Sequence, residues 1–199
     1  MSVRGVLLVK GTLLEAEAWV RRGVVAAYVV PAQPWVAVVP AETQTRVPAP
    51  YDAVVPALAG HPLRRGMRPG IGFFVVRDER GERALVTLQT GQIRSRTQWL
   101  TWTAERGTHT LAPLPAPSIL DLAKAVGRPE GKGRVLDALR ASRSGADEWL
   151  TGVMLSLGIS AADLILGRPR GAEVVEPEDK ALGDFTSLTA DDLREEHAP

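Results

Sequence analysis

The chain has 199 residues, 45% hydrophobic and 24% charged, and contains no cysteine. That balance suits a folded chain with a core of its own, and it excludes disulfide frameworks, thiolate zinc sites and cysteine nucleophiles. The net charge of +1 hides an asymmetry: residues 1–167 hold 20 Lys+Arg against 14 Asp+Glu (net +6), whereas residues 168–199 hold 4 against 9 (net −5).

Arg outnumbers Lys 20 to 4, as in proteins of GC-rich bacterial genomes, so a high arginine count alone carries little functional weight. No apolar run reaches the roughly 18 residues of a membrane helix. The longest, residues 24–30, stops at Pro31. After Arg4 only residues 6–9 are apolar before Lys10, which does not make a secretion signal. The expectations are a cytoplasmic location and no membrane partner.

In chain order, residues 3–9 read as a buried strand. Thr12 and Glu15 then form a capping box for a helix that Gly23 closes. Residues 24–30 are β-branched and read as a strand, Pro31–Pro34 as a turn, and residues 35–39 as the returning strand. Residues 51–59 suit a short helix, limited by Pro56. Residues 60–70 form a loop carrying Arg64, Arg65 and Arg68. Residues 71–77 and 83–89 form the clearest hairpin, turning at residues 78–81. Residues 98–103 and 109–114 read as two further strands.

Beyond the proline cluster at Pro113, Pro115 and Pro117 the pattern becomes helical. Ser118 and Asp121 suggest a second capping box. A short helix is expected over residues 134–141. The strongest C-terminal helix spans residues 146–157, with Trp149, Leu150, Val153, Met154 and Leu157 on one face. Ser160 opens a last short helix ending at Gly167. Residues 170–199 lack sustained periodicity, apart from a helical turn over residues 190–196.

The fold expectation is α+β: a mixed or antiparallel sheet with ferredoxin-like βαββαβ order, then a small helical subdomain and an acidic tail. The corresponding units are a sheet domain over residues 1–117, a helical subdomain packed on it over 118–167, and a flexible acidic tail over 168–199.

Four motifs bear on function. Residues 127–133 carry Gly127, Gly131, Lys132 and Gly133, and Arg134 follows. The glycine spacing and the absence of Ser or Thr after Lys132 depart from a phosphate-binding P-loop. Lys132 and Arg134 remain candidates for holding an anion at a helix start. The turn Leu157–Ser160 suits a helix-turn-helix, but the following helix offers Ala161, Ala162 and Asp163 where guanine contacts need Arg or Lys. Residues 70–75 echo the first strand motif of RNA-recognition domains, yet the adjacent Phe73 and Phe74 point to opposite faces, where stacking needs aromatics on one. Residues 94–103 interleave Arg94 and Arg96 with Trp99 and Trp102, residue types that often anchor interfaces.

No complete catalytic motif is present, and no cofactor or metal is expected. The leading reading is a non-enzymatic adaptor or regulatory protein that binds another protein, with Arg64, Arg65, Arg68, Arg94, Arg96, Trp99 and Trp102 as binding residues. The alternative is a nucleic-acid-binding regulator that uses the basic body, with the acidic tail as a brake. A third is a cofactor-free enzyme whose loops bring His109 together with carboxylates.

Overall fold

The computed structural model describes residues 1–91, 96–167 and 169–195, of which Leu166 and residues 188–195 are described by backbone only. Eight strands form one antiparallel sheet: β1 (Ser2–Val9), β2 (Ala27–Ala32), β3 (Trp35–Pro40), β4 (Gly70–Asp78), β5 (Gly81–Gln89), β6 (Gln98–Thr103), β7 (Gly107–His109) and β8 (Val174–Val175). Their order is β7-β6-β5-β4-β1-β3-β2-β8. The described helices are α1 (Leu13–Val20), α2 (Val54–Gly60), α3 (Ile119–Ala125), α4 (Lys132–Arg140), α5 (Ala146–Ser156), α6 (Asp163–Leu166) and α7 (Asp179–Glu195). The fold is therefore α+β, with a sheet larger than the four strands of a ferredoxin-like domain.

Alternation along β1 explains why both sheet faces are covered. Val6 and Leu8 enter one apolar cluster with residues of α3, α4, α5 and α6. Leu7 and Val9 enter a second cluster with residues of α1 and α2. Successive side chains of a strand point to opposite faces, so an uninterrupted apolar run is the pattern of a strand buried on both sides. Phe73 and Phe74 are both fully buried, one in each cluster. Neither is free to stack on a nucleobase.

Local signals form as the chain predicts at several points. Thr12 Oγ1 accepts from Glu15 N at 3.2 Å, and Glu15 Oε2 accepts from Thr12 N at 2.8 Å, so each satisfies a donor that the start of α1 leaves open. Ser118 and Asp121 do the same for α3. Asp78 pairs with Gly81, which leaves Glu79 and Arg80 as the two-residue turn of the β4–β5 hairpin. The predicted apolar face of α5 is buried along its length, and Trp149 stacks on Trp102 of β6 at 5.9 Å between ring centroids.

Other elements differ from expectation. Helix α1 ends at Val20, and the chain leaves through turn bonds from Arg22 N to Trp19 O and Gly23 N to Val20 O, without a left-handed glycine. β2 starts three residues later than predicted and includes Pro31, paired with Val36. Proline fits because β8 covers only Ala27 and Tyr28, leaving the end of β2 as a sheet edge. Helix α2 is short, with Pro56 in its first turn, where a backbone N–H has no intrahelical acceptor and its absence costs no helix bond. The strand expected over residues 109–114 is instead β7.

The segment expected to lack regular structure carries β8 and α7. Val175, Leu182 and Phe185 pack against the cluster of α1 and α2, and Phe185 meets Tyr51 edge-on at 5.8 Å. Helix α6 lies against β1 and β4 with Ile165 buried, so the turn before it joins packed helices and does not present a recognition helix.

Candidate functional site

Each strand runs opposite to its neighbours, so the sheet has two distinct ends. β1 finishes, and β4 and β6 begin, at one end, here called the base. The loop before β4 carries Arg64, Arg65 and Arg68 there, and Arg96 precedes β6. Arg64, Arg65 and Arg96 are exposed. Lys10, just beyond β1, holds its ammonium 3.5 Å from the centroid of the Trp35 ring, a cation–π contact. The chain thus brings together most of the arginines singled out in sequence; Arg94 lies outside the described residues.

A buried glutamine fixes this end. Gln89, at the close of β5, is 4% exposed. Its Nε2 donates to Ala59 O at 2.5 Å and to His61 O at 3.1 Å, and its Oε1 accepts from Leu63 N at 3.2 Å. Thr97 Oγ1 donates to Ala59 O at 2.8 Å, and Arg68 Nε donates to Leu63 O at 2.7 Å. These bonds tie the arginine loop to β5 and β6. Sequence reading passed over Gln89, whose only signal is a polar residue closing an apolar strand.

A second feature lies on the face covered by α1 and α2. α2 leaves the β5–β6 side of that face open, and a groove of about 350 Å³ runs there. Its lining includes Val55, Pro56, Leu85, Trp99, Leu111 and Leu114. The far wall is the proline-bearing segment before α3, held in place where Trp99 N donates to Pro115 O at 2.7 Å. Leu111 and Leu114 are 37% and 43% exposed. Arg83 sits at the rim and pairs with Asp78 at 2.8 Å. Thr101, next to Trp99 on that face of β6, is buried, and its hydroxyl has no hydrogen-bond partner among the described residues.

The two tryptophans of β6 therefore separate. Trp99 lines the groove and is partly exposed, whereas Trp102 is 3% exposed in the core and offers no contact surface. Lys132 and Arg134 are exposed in the first turn of α4. They lie in the helix layer across the sheet from Leu63 and Met67, the residues that anchor the arginine loop.

Among the described residues no carboxylate pairs with His109. Its Nδ1 lies 2.9 Å from Gly107 O, a local backbone contact. Among the described residues no group of three His, Asp or Glu side chains could hold a metal ion. His61, partly buried beside Trp19 at 4.7 Å, has its imidazole pKa lowered, first by burial and then by the nearby Arg22. A cavity of about 480 Å³ with mixed polar and apolar lining, near Arg4 and Glu42, opens at the other end of the sheet. There Arg4 is already held by Asp147 and Glu82. No described helix is long and apolar enough to cross a membrane. Comparison with protein families, curated proteins and solved structures finds no match to this chain.

Proposed function

We propose that this chain is a non-enzymatic binding protein, acting in the cytoplasm, whose groove receives an apolar segment of another protein. The observation that carries this reading is the groove itself: a concave, almost wholly apolar surface with a partly exposed tryptophan and two exposed leucines. Apolar patches rimmed by polar groups mark interaction sites on soluble chains, and tryptophan is among the commonest interface anchors. Leu114 and Trp99 supply the contact area, and the Arg83–Asp78 pair marks a polar rim.

The scaffold is read as a ferredoxin-like core of β1, α1, β2, β3, α2 and β4, extended by β5, β6 and β7. The neighbour order β4-β1-β3-β2, with α1 and α2 in one apolar cluster, supports that reading. The helices of residues 118–167 form the layer on the opposite face, and the acidic C-terminal segment is read as an appendage that joins the sheet through β8.

The test is a photocrosslinking residue at Leu114, used in cells of the source organism, followed by rebinding of the captured protein in purified form. The expected result is one partner bound at micromolar strength or better and weakened at least tenfold by Leu114→Glu and by Trp99→Ala. A purified partner indifferent to both substitutions overturns the reading.

A further inference from the structure

The two ends of the sheet treat their cations differently. At the end opposite the base, Arg4 contacts Asp147 and Glu82, Arg77 contacts Glu82 at 3.0 Å, and Arg83 contacts Asp78 at 2.8 Å. Arg46 contacts Glu42 and Glu176, both at 3.0 Å. Arg80 and Arg106, which lack such a contact, have Glu79 and Glu105 beside them in the same turn.

The base is built otherwise. Its connections at residues 10–12, 33–34, 61–69 and 96–97 contain Lys10, Arg64, Arg65, Arg68 and Arg96 and not one Asp or Glu. None of these five cations has a carboxylate partner among the described residues. Glu15 caps Thr12 at the start of α1 and its carboxylate also borders Gly66 of the arginine loop, so five cations face one acid here. From the end of β1 to the start of β6 is three strand spacings, about 14 Å. The Gln89 network holds the arginine loop in place across that width. The acidic segment enters at the opposite end: β8 pairs with Ala27 and Tyr28 at the start of β2, Glu178 N donates to Arg21 O, and Phe185 of α7 meets Tyr51.

We propose that the base of the sheet binds the phosphate backbone of a double-stranded nucleic acid without reading its sequence. An excess of cations without ion-pair partners, spread over about 14 Å, matches a surface that presents one charge per roughly 1.7 Å of helix axis. Every charged side chain of these connections is a cation. Trp35 is 6% exposed and already faces Lys10, so the aromatic ring within these connections is not a free stacking platform of the kind single-strand binders need. An acidic protein partner would want an apolar anchor within the charged ring; the exposed apolar side chains bordering the base, Leu13 and Leu14, stand on the first turn of α1, outside the connections that carry the cations. Contacts to phosphate fix position and carry no sequence information.

The experiment is fluorescence anisotropy of a labelled 20-base-pair duplex of arbitrary sequence with the full chain, over a salt series. Five neutralised phosphates set a limit of about −4.5 for the slope of log affinity against log salt. The combined variant Arg64→Gln, Arg65→Gln, Arg96→Gln is expected to make that slope shallower by about 2.7 and to weaken binding at low salt more than tenfold. The pair Arg77→Gln, Arg143→Gln, at the opposite end, is expected to leave both unchanged, as is Trp99→Ala in the groove. Thermal melts of all variants check that they fold.

Absence of binding at low salt overturns the proposal, as does a triple variant that folds and keeps the wild-type slope. A single strand of the same length that binds more tightly than the duplex also overturns it. Because Trp99→Ala separates the groove from the base, failure here leaves the protein-binding reading standing, and the converse holds.

Discussion

Trp99 and Trp102 lie three residues apart on one strand and meet opposite fates. On the face of Trp102, α5 brings Trp149 into stacking contact and the strand is sealed. On the face of Trp99, α2 stops short and only the segment around Leu111 and Leu114 approaches. The same residue type in the same strand thus serves packing on one side and forms a surface on the other. Helix coverage decides the difference, not the strand.

The largest effect should come from the sealed face. Trp102→Ala removes a stacked, buried indole and is expected to lower stability by about 3–5 kcal/mol, measured as a shift in denaturant midpoint. Trp99→Ala on the open face should cost only about 1 kcal/mol, and its main consequence should be loss of partner binding. Equal costs for the two substitutions would break the comparison.

An intermediate effect is expected where α1 meets α2 on the open face. His61 is held in its neutral form by burial and by Arg22. Between its lowered folded value and the ordinary imidazole value near 6.5, the unfolded chain binds the proton and the folded chain does not. This stabilisation is therefore fully present above about pH 6.5 and is lost as pH falls through the folded value. Chemical denaturation at pH 7.5 and at pH 5.5 should show a drop in midpoint that shrinks in His61→Phe, which cannot take up the proton. A drop of the same size in the variant would assign the pH dependence elsewhere.

The smallest effect is expected at Thr101, the buried residue between the two tryptophans. Thr101→Val removes a hydroxyl that has no partner among the described residues and keeps the shape. A gain of up to about 1 kcal/mol is expected. A loss would mean that the hydroxyl is satisfied at the groove wall, by water or by a bound group.

Much of the secondary structure was legible from local chemistry. Both capping boxes, at Thr12 and Ser118, depend on residues three apart. The hairpin turn at Glu79–Arg80 depends on four. The buried face of α5 follows from its period. The tail was less legible because β8 is two residues long and borrows its stability from the edge of β2, while α7 buries only part of its surface. The candidate sites were legible only in part. Arg64, Arg65, Arg68, Arg96 and Trp99 stood out by residue type, but Lys10, Gln89, Leu111 and Leu114 did not. Each of those gains its role from a neighbour far away in sequence, as Gln89 does from Ala59, His61 and Leu63.

What the sequence determined by itself is short-range: where helices start, where the hairpin turns, and that the central strands are apolar on both faces. Propensity, capping and alternation act over a few residues and do not need to know the fold. Only the tertiary structure decided that β1 lies between β3 and β4, and from that the rest follows. That pairing gathers the cations after β1, before β4 and before β6 at one end of the sheet. It also leaves the β5–β6 side of one face beyond the reach of α2. Charge density and groove shape depend on distances between residues that chain order keeps far apart, and strand pairing is the interaction that sets those distances.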